Sequence, residues 1–416
     1  MRRSHRHTLA AAAGALTMAA LAACASSPGS SGSGGSGGVS YGVLSCFTGR
    51  LASLGQAMLQ GSQVAQAAVD QAGGVLGHKL TLYHADTGCD EADAVPATQK
   101  LLNNNIDGVI GPETQEIDSV EPILNSAQIV DEFQGGDTAK DHQTSKFFFR
   151  DSPSDSQLGV AMALYAHNKG YTKAALLFYA EAGAQTFAPP ITATWHKLGG
   201  QITGSFSVPP DQTSYLPEVQ KVIASHPQVI FIQADAPTGA VLFRDFKQLD
   251  NLAIPFVGTD VTGASEFLKA VTYPVAHAHL ISVYGTSVTG QANNTFMSYF
   301  SKKFSGQPLA NANYSYDAVV SLALAEDYAG TTAGKTVAAD MTKVTDPPGQ
   351  KCYSYAQCLN LIKKKVKIDY EGASGDLNYN QYNNVFGPYG AFQVNAQGSE
   401  QQVGVLSASA LQAATP

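Results

Sequence analysis

The chain is 416 residues long, 44% hydrophobic and 14% charged, with a formal net charge of −8 at pH 7. That length suits two or three domains, and that balance suits an ordinary globular core. An acidic chain with no basic stripe excludes nucleic acid as the expected partner, and no internal stretch reaches the roughly 18 unbroken apolar residues of a spanning helix.

Residues 1–23 read as a signal peptide. MRRSHRH is a basic head, residues 8–21 are an apolar run too short to span a bilayer comfortably, and Leu21-Ala22-Ala23-Cys24 follows. Small residues before a cysteine at this position resemble the bacterial lipobox, in which Cys24 carries lipid and becomes the first mature residue. Arg2-Arg3 is not continued as a twin-arginine signal, which favours general secretion. Residues 24–38 then form the lipidated cysteine and a flexible linker, ASSPGSSGSGGSGG, with roughly 20 Å of reach. The expected location is extracytoplasmic, on the outer face of the bacterial cytoplasmic membrane, held by lipid alone.

The five cysteines fit export. With Cys24 lipidated, Cys352 and Cys358 most simply close a short loop, worth roughly 2 kcal/mol. Cys46 and Cys89 would then pair, which requires the ends of the first two strands to be neighbours. A buried free thiol is the alternative for each. Metal binding is disfavoured, because no histidine stands at ligand spacing from these cysteines.

Residues 41–74 form the first βα unit. Residues 41–45 suit a strand buried on both faces, residues 46–55 a polar loop, and residues 56–71 a helix stopped by Gly73-Gly74. In an open α/β sheet, ligands bind at the carboxyl ends of strands. Ser45, Thr48 and Ser53 lie in that loop, either facing a ligand or capping the helix. Strands at 79–84, 107–110, 128–131 and 146–150 alternate with helices at 91–104 and 117–125, the rhythm of a parallel sheet covered on both faces.

A second run of the same rhythm follows. Strands are expected at 173–179, 201–206, 229–233, 255–257 and 279–284, with helices at 154–169, 185–198, 215–225, 239–249 and 266–271. His277 and His279 alternate in a strand-like region and read as packing residues. Helices dominate 291–304, 314–328 and 355–364, a block that packs best by returning to the first sheet. Residues 376–394 have the asparagines, glycines and alternating aromatics of a late β-hairpin. The chain would then cross between lobes near 151, 285 and 371, giving a hinge and a cleft.

These segments resemble the branched-chain amino-acid-binding (leucine/isoleucine/valine-binding) lipoproteins of ABC transporters, over about residues 40–405. GVLSCFTGRLASLG resembles the family's opening strand and loop, and VDQAGGVLGHKLTLYHADTGCDEADAV its first helix, second strand and acidic loop. DGVIGP resembles the third strand, YSYDAVVSLALA a later helix and YEGASGDLNYN the final crossing. The resemblance implies an α/β type I periplasmic-binding-protein fold, with two doubly wound, Rossmann-like lobes joined by a three-crossing hinge. Lobe 1 would be 39–151 plus 286–370, lobe 2 would be 152–285 plus 371–407, and 408–416 a C-terminal tail.

Family proteins hold an amino-acid carboxylate with serine, threonine and backbone N–H groups of the first lobe. An acidic residue of the second lobe, often with a tyrosine, holds the ammonium. By this resemblance Asp260, in PFVGTDVTGAS, takes the acidic role, unless it only caps the segment after it. Asp235 and Thr238 fall where the family usually has its tyrosine. Tyr179, Glu181 and Tyr284 end second-lobe strands and could line the cleft. In the first lobe, Glu113-Thr114-Gln115 replaces the common serines, and residues 134–138 supply Thr138. Thr114, Gln115 and Thr138 can hydrogen-bond a ligand, whereas Glu113 and Asp137 would repel a carboxylate. A polar or cationic small molecule, or an amide, fits this lining as well as an amino acid does.

Enzymatic motifs are missing from the sequence: it has no GxSxG elbow, no phosphate-cradling glycine loop and no metal-ligand cluster. The reading is therefore not an enzyme, with no cofactor or metal. It is a monomeric binding component of an ABC importer, partnered with a permease and its ATPase subunits. A ligand-sensing receptor lipoprotein partnered with a signalling protein is the alternative. Capture would work by ligand-favoured closure of the lobes.

Overall fold

The computed structural model describes residues 38–286 and 289–416. The signal segment, Cys24 and the linker up to residue 37 lie outside the described residues. Among those described, no helix is long and apolar enough to cross a membrane.

Every residue of β1 (Ser40–Ser45) is buried, as a strand covered on both faces must be. Around it stand β2 (Thr81–Asp86), β3 (Gly108–Ile110), β4 (Val130–Glu132) and β5 (Phe148–Phe149), in the order β2-β1-β3-β4-β5 and all parallel. Helices α1 (Ala52–Gln71), α2 (Glu91–Leu102) and α3 (Ile117–Ala127) make the crossovers. Both expected cysteine pairs form. Cys46–Cys89 links the loops after β1 and β2, and Cys352–Cys358 closes the short loop.

The second lobe begins with α4 (Asp155–Asn168), β6 (Lys173–Tyr179), α5 (Ala182–Gln185) and α6 (Ala188–Lys197). There follow β7 (Gln201–Val208), α7 (Leu216–Ala224), β8 (Val229–Gln233) and α8 (Ala236–Gln248). Next come β9 (Phe256–Gly258), α9 (Asp260–Gly263), α10 (Ser265–Val271), α11 (Tyr273–His279) and β10 (Leu280–Gly285). The chain then runs through α12 (Gln291–Lys303), α13 (Ala312–Ala329), α14 (Gly334–Thr345), β11 (Gln350–Cys352), α15 (Tyr355–Lys363) and β12 (Ile368–Tyr370). It closes with β13 (Tyr389–Val394), β14 (Glu400–Leu406) and α16 (Ala408–Ala414). The second sheet has the order β14-β13-β10-β9-β8-β6-β7, with β13 and β14 antiparallel at one edge.

Each sheet has its own core. Val64 and Val69 of α1 and Val320 and Leu324 of α13 pack over Tyr41 and Ile110. Leu176, Phe178, Phe231 and Phe256 fill the other, with Trp195 edge-on to Phe231. Helix α13 is buried almost all round, because α1, α14 and α15 surround it on the first sheet. Between the lobes the chain passes through 150–154 and through 371–388, and it leaves the second sheet at the end of β10. Asn383 accepts from the Arg150 N–H, and Asn384 donates to the Asp141 carbonyl at 3.1 Å.

Three local expectations fail for physical reasons. The hairpin is β13–β14, not 376–394, because Asn380, Asn383 and Asn384 are spent on turn and hinge hydrogen bonds. The helix expected over 185–198 is broken into α5 and α6, with Pro189-Pro190 in the first turn of α6. His277 and His279 end helix α11 rather than alternating on a strand, and the His277 ring sits 2.8 Å from the Val394 carbonyl.

Candidate functional site

The carboxyl ends of both sheets face one cavity, with about 890 Å³ of space, part of it continuous with solvent. The first lobe supplies Leu54 and Met58 of α1, the loops 113–115 and 134–136, and Asn311, Tyr314 and Ser315 around the start of α13. The second supplies Asp155 of α4, Gln233 at the end of β8, Asp260 of α9, Tyr284 of β10 and Tyr389 of β13. Two glycines let these walls approach. Gly111 has φ +110°, which favours glycine, and a Cβ there would collide with the Leu44 carbonyl. A Cβ on Gly285 would collide with the Tyr314 hydroxyl.

The lobes touch across the cavity. Asn311 Nδ2 donates to Asp260 Oδ2 at 2.8 Å, and Gln115 packs against Gly183. Arg50, after β1, pairs with Asp235 at 2.6 Å and also with Asp211, both on the second lobe. Asp235 meanwhile caps α8 through the Thr238 N–H.

Three carboxylates line the cavity, Glu113, Asp155 and Asp260, and none of its lining residues is Lys, Arg or His. Burial raises the Glu113 carboxyl to about 8, with repulsion from Glu116 and Asp260 adding and a hydrogen bond from Ser45 opposing. Asp155 is also pushed to about 8 by burial, against a hydrogen bond from Thr186. Burial raises Asp260 too, and Asn311 restrains it. Behind the wall, Glu116 is lifted to about 7 by burial, although Thr87 donates to it.

Several donors on the wall are already engaged by the protein. The Glu113 N–H donates to Glu116 at 3.0 Å, and the Gly136 N–H to Thr114 Oγ1 at 3.0 Å. Ser315 donates to Gln134 at 3.1 Å. The Tyr284 hydroxyl is bound to Glu400 and the Tyr389 hydroxyl donates to the Ser154 carbonyl. Gln233 Oε1 and the Tyr314 hydroxyl differ: both are buried and have no hydrogen-bond partner among the described residues.

Of the residues expected from sequence, Thr114, Gln115, Asp260 and Tyr284 lie on the cavity wall. Asp260 is the first residue of α9, after Thr259, rather than its cap. Eight others lie off the wall, Ser53 and Glu181 among them. Ser45 sits beneath it and donates to Glu113 at 3.3 Å. Thr48 is engaged by Asp86 at 2.6 Å, and Thr138 opens a 3₁₀ turn whose cap is Asp137. Tyr179 and Thr238 are buried, and Asp235 is held by Arg50 and the α8 cap. Of the two acids expected to repel a carboxylate, only Glu113 faces the cavity. Cys46, Cys89 and Glu116 cluster closely enough for a metal, but both sulfurs are consumed by the disulfide.

Sequence reading missed Asp155, Gln233, Asn311 and Tyr314. Asp155 follows the cap Ser154 and reads as an ordinary first-turn acid. Asn311 carried only a turn signal, since asparagine tolerates the left-handed conformation it takes ahead of α13, with φ 70°.

A Leu/Ile/Val-binding protein, BraC3, from Rhizobium johnstonii is 22% identical over 247 residues, covering 56% of this chain and 67% of that protein. The Streptococcus pneumoniae branched-chain amino acid transporter substrate-binding protein LivJ, solved with isoleucine, superposes with a TM-score of 0.74 at 17% identity. That match covers 89% of this chain and 99% of LivJ. A solute-binding protein of an R. palustris ABC transporter, solved with benzoate, gives 0.72 at 16% identity, over 89% of this chain and 97% of its own. A family model described as periplasmic binding protein matches residues 38–351. With two sheets ending on one cavity and that match spanning most of its length, the chain belongs to the periplasmic binding protein family, whose members bind solutes rather than transform them.

Proposed function

We propose that this protein is the extracytoplasmic solute-binding component of an ABC importer. It captures a small polar solute between its lobes and hands the closed form to a permease. The carrying observation is the cavity itself, walled by both lobes and crossed by Asn311–Asp260 and Arg50–Asp235. A solute that touches both walls would bind the closed form better than the open one, which is the differential affinity a ligand-driven shift requires. Asp260, Tyr284, Thr114 and Gln115 are the proposed ligand contacts from the expected set, and lipid on Cys24 would keep the protein beside its permease. Isoleucine and benzoate in two structurally similar proteins support capture of small molecules while leaving the ligand open.

The test is to purify the protein from its own secreting host, denature it, and identify the released small molecules by mass spectrometry. The solute added back to stripped protein should raise its Tm, and Asp260→Ala should abolish the rise. Recovery of no solute from protein purified natively, without a stripping step, would contradict the reading.

A further inference from the structure

We propose that the solute is a small primary amine without a carboxylate, taken by the inter-lobe cavity as a hydrogen-bond-donating cation. The proposal rests on the binding-protein reading above and narrows its ligand.

Charge comes first. Glu113 from the first lobe and Asp155 and Asp260 from the second converge on one space, and among the described residues no lining side chain carries a positive charge to balance them. An ammonium entering there would favour the ionised form of these carboxyls, which burial otherwise raises, whereas a ligand carboxylate would meet no positive charge on the wall. Two first-lobe donors on the wall are already engaged. The Glu113 and Gly136 N–H groups, from the two first-lobe loops, already serve Glu116 and Thr114.

Vacant hydrogen-bonding capacity points the same way. Gln233 Oε1 and the Tyr314 hydroxyl are each at least nine-tenths buried on the cavity wall and lack any partner among the described residues. Buried polar atoms seldom stay unpaired, so a bound group should meet them. A carbonyl-type oxygen and a phenol oxygen can both accept, and a primary ammonium offers three donors. Tyr284 and Tyr389 bring aromatic surface to the same space, which suits a cation with a short apolar chain. An ammonium could therefore bridge a carboxylate of one lobe to an acceptor of the other, drawing the two together.

The proposal is tested by thermal shift and calorimetry on ligand-stripped protein at pH 7.5. One arm uses 1,4-diaminobutane, ethanolamine and spermidine; the other uses leucine and benzoate. At least one amine should raise Tm by about 3 °C or more at saturation, with no rise from leucine or benzoate. Asp260→Asn and Tyr314→Phe should each weaken the amine's affinity by about 10-fold or more, with the unliganded Tm unchanged or higher. A rise with leucine or benzoate and none with amines would overturn the amine class and leave solute capture standing. Silence in both arms would overturn the amine class, and recovery of no solute from native protein would bring down the capture reading with it. Amine binding unaffected by both substitutions would also overturn the proposal, because the cation would sit elsewhere.

Discussion

Two sets of buried acids show how one residue type serves two purposes in this molecule. Near the hinge, Asp317 is fully buried yet accepts from the Tyr370 hydroxyl at 2.7 Å, the Ala373 N–H at 3.0 Å, and the Ser374 N–H and hydroxyl at 2.6 and 2.5 Å. In the cavity, Asp155 has Thr186, Glu113 has a long bond from Ser45, and Asp260 has Asn311. Buried acids with a full set of protein partners hold the chain together. Those left short of partners at a cleft are poised for something that arrives from outside.

The largest expected effect breaks the first set. Asp317→Ala strands four donors around the third crossing and should cost roughly 3 kcal/mol or more of stability, read from urea unfolding. Loss of less than about 1 kcal/mol would erase the contrast drawn here. Next, Asp260→Ala should weaken the captured solute by roughly 100-fold in calorimetry while the fold survives, since this residue lines the cavity and its partner across it is Asn311.

Titration sharpens the comparison. Glu113 and Asp155 are raised to about 8, Asp151 and Glu116 to about 7 and Asp317 to about 6, in every case chiefly by burial. The native state therefore binds more protons than the unfolded chain between about pH 4 and pH 8, so stability falls as pH rises through that window. The unliganded Tm should be about 5 °C higher at pH 5.5 than at pH 8.5, and Glu113→Gln should flatten the slope. A flat profile in the parent protein would contradict the burial argument. The smallest effect is expected at Arg50, whose side chain is 42% exposed where it spans the lobes. Arg50→Ala should weaken solute binding only about 2- to 5-fold, mostly through faster release.

Much of the fold could be read from sequence, because strands such as 173–179 and 229–233 are apolar apart from one terminal residue each, Lys173 and Gln233. Helix α1 starts at Ala52, ahead of the expected 56, because Leu51 and Leu54 face the cavity and so fall outside the core periodicity. The site was less legible. Asp260 and Thr114 stand at strand ends, where α/β topology puts ligands. The return of α13 to the first sheet was expected, but that its first turn brings Tyr314 and Asn311 to the strand ends depends on contacts between distant segments that no local pattern encodes. Asp235 looked like a site residue for the same reason as Asp260. It is instead paired with Arg50, 185 residues earlier in the chain.

The most direct measurement is a crystal structure of the stripped protein grown with the best-binding amine of the panel. The account predicts its nitrogen within about 3 Å of a carboxylate of Asp260, Glu113 or Asp155 and of Gln233 Oε1 or the Tyr314 hydroxyl. An amine lodged outside the cavity, or a cavity that instead holds leucine with its carboxylate on the 113–115 loop, would contradict it.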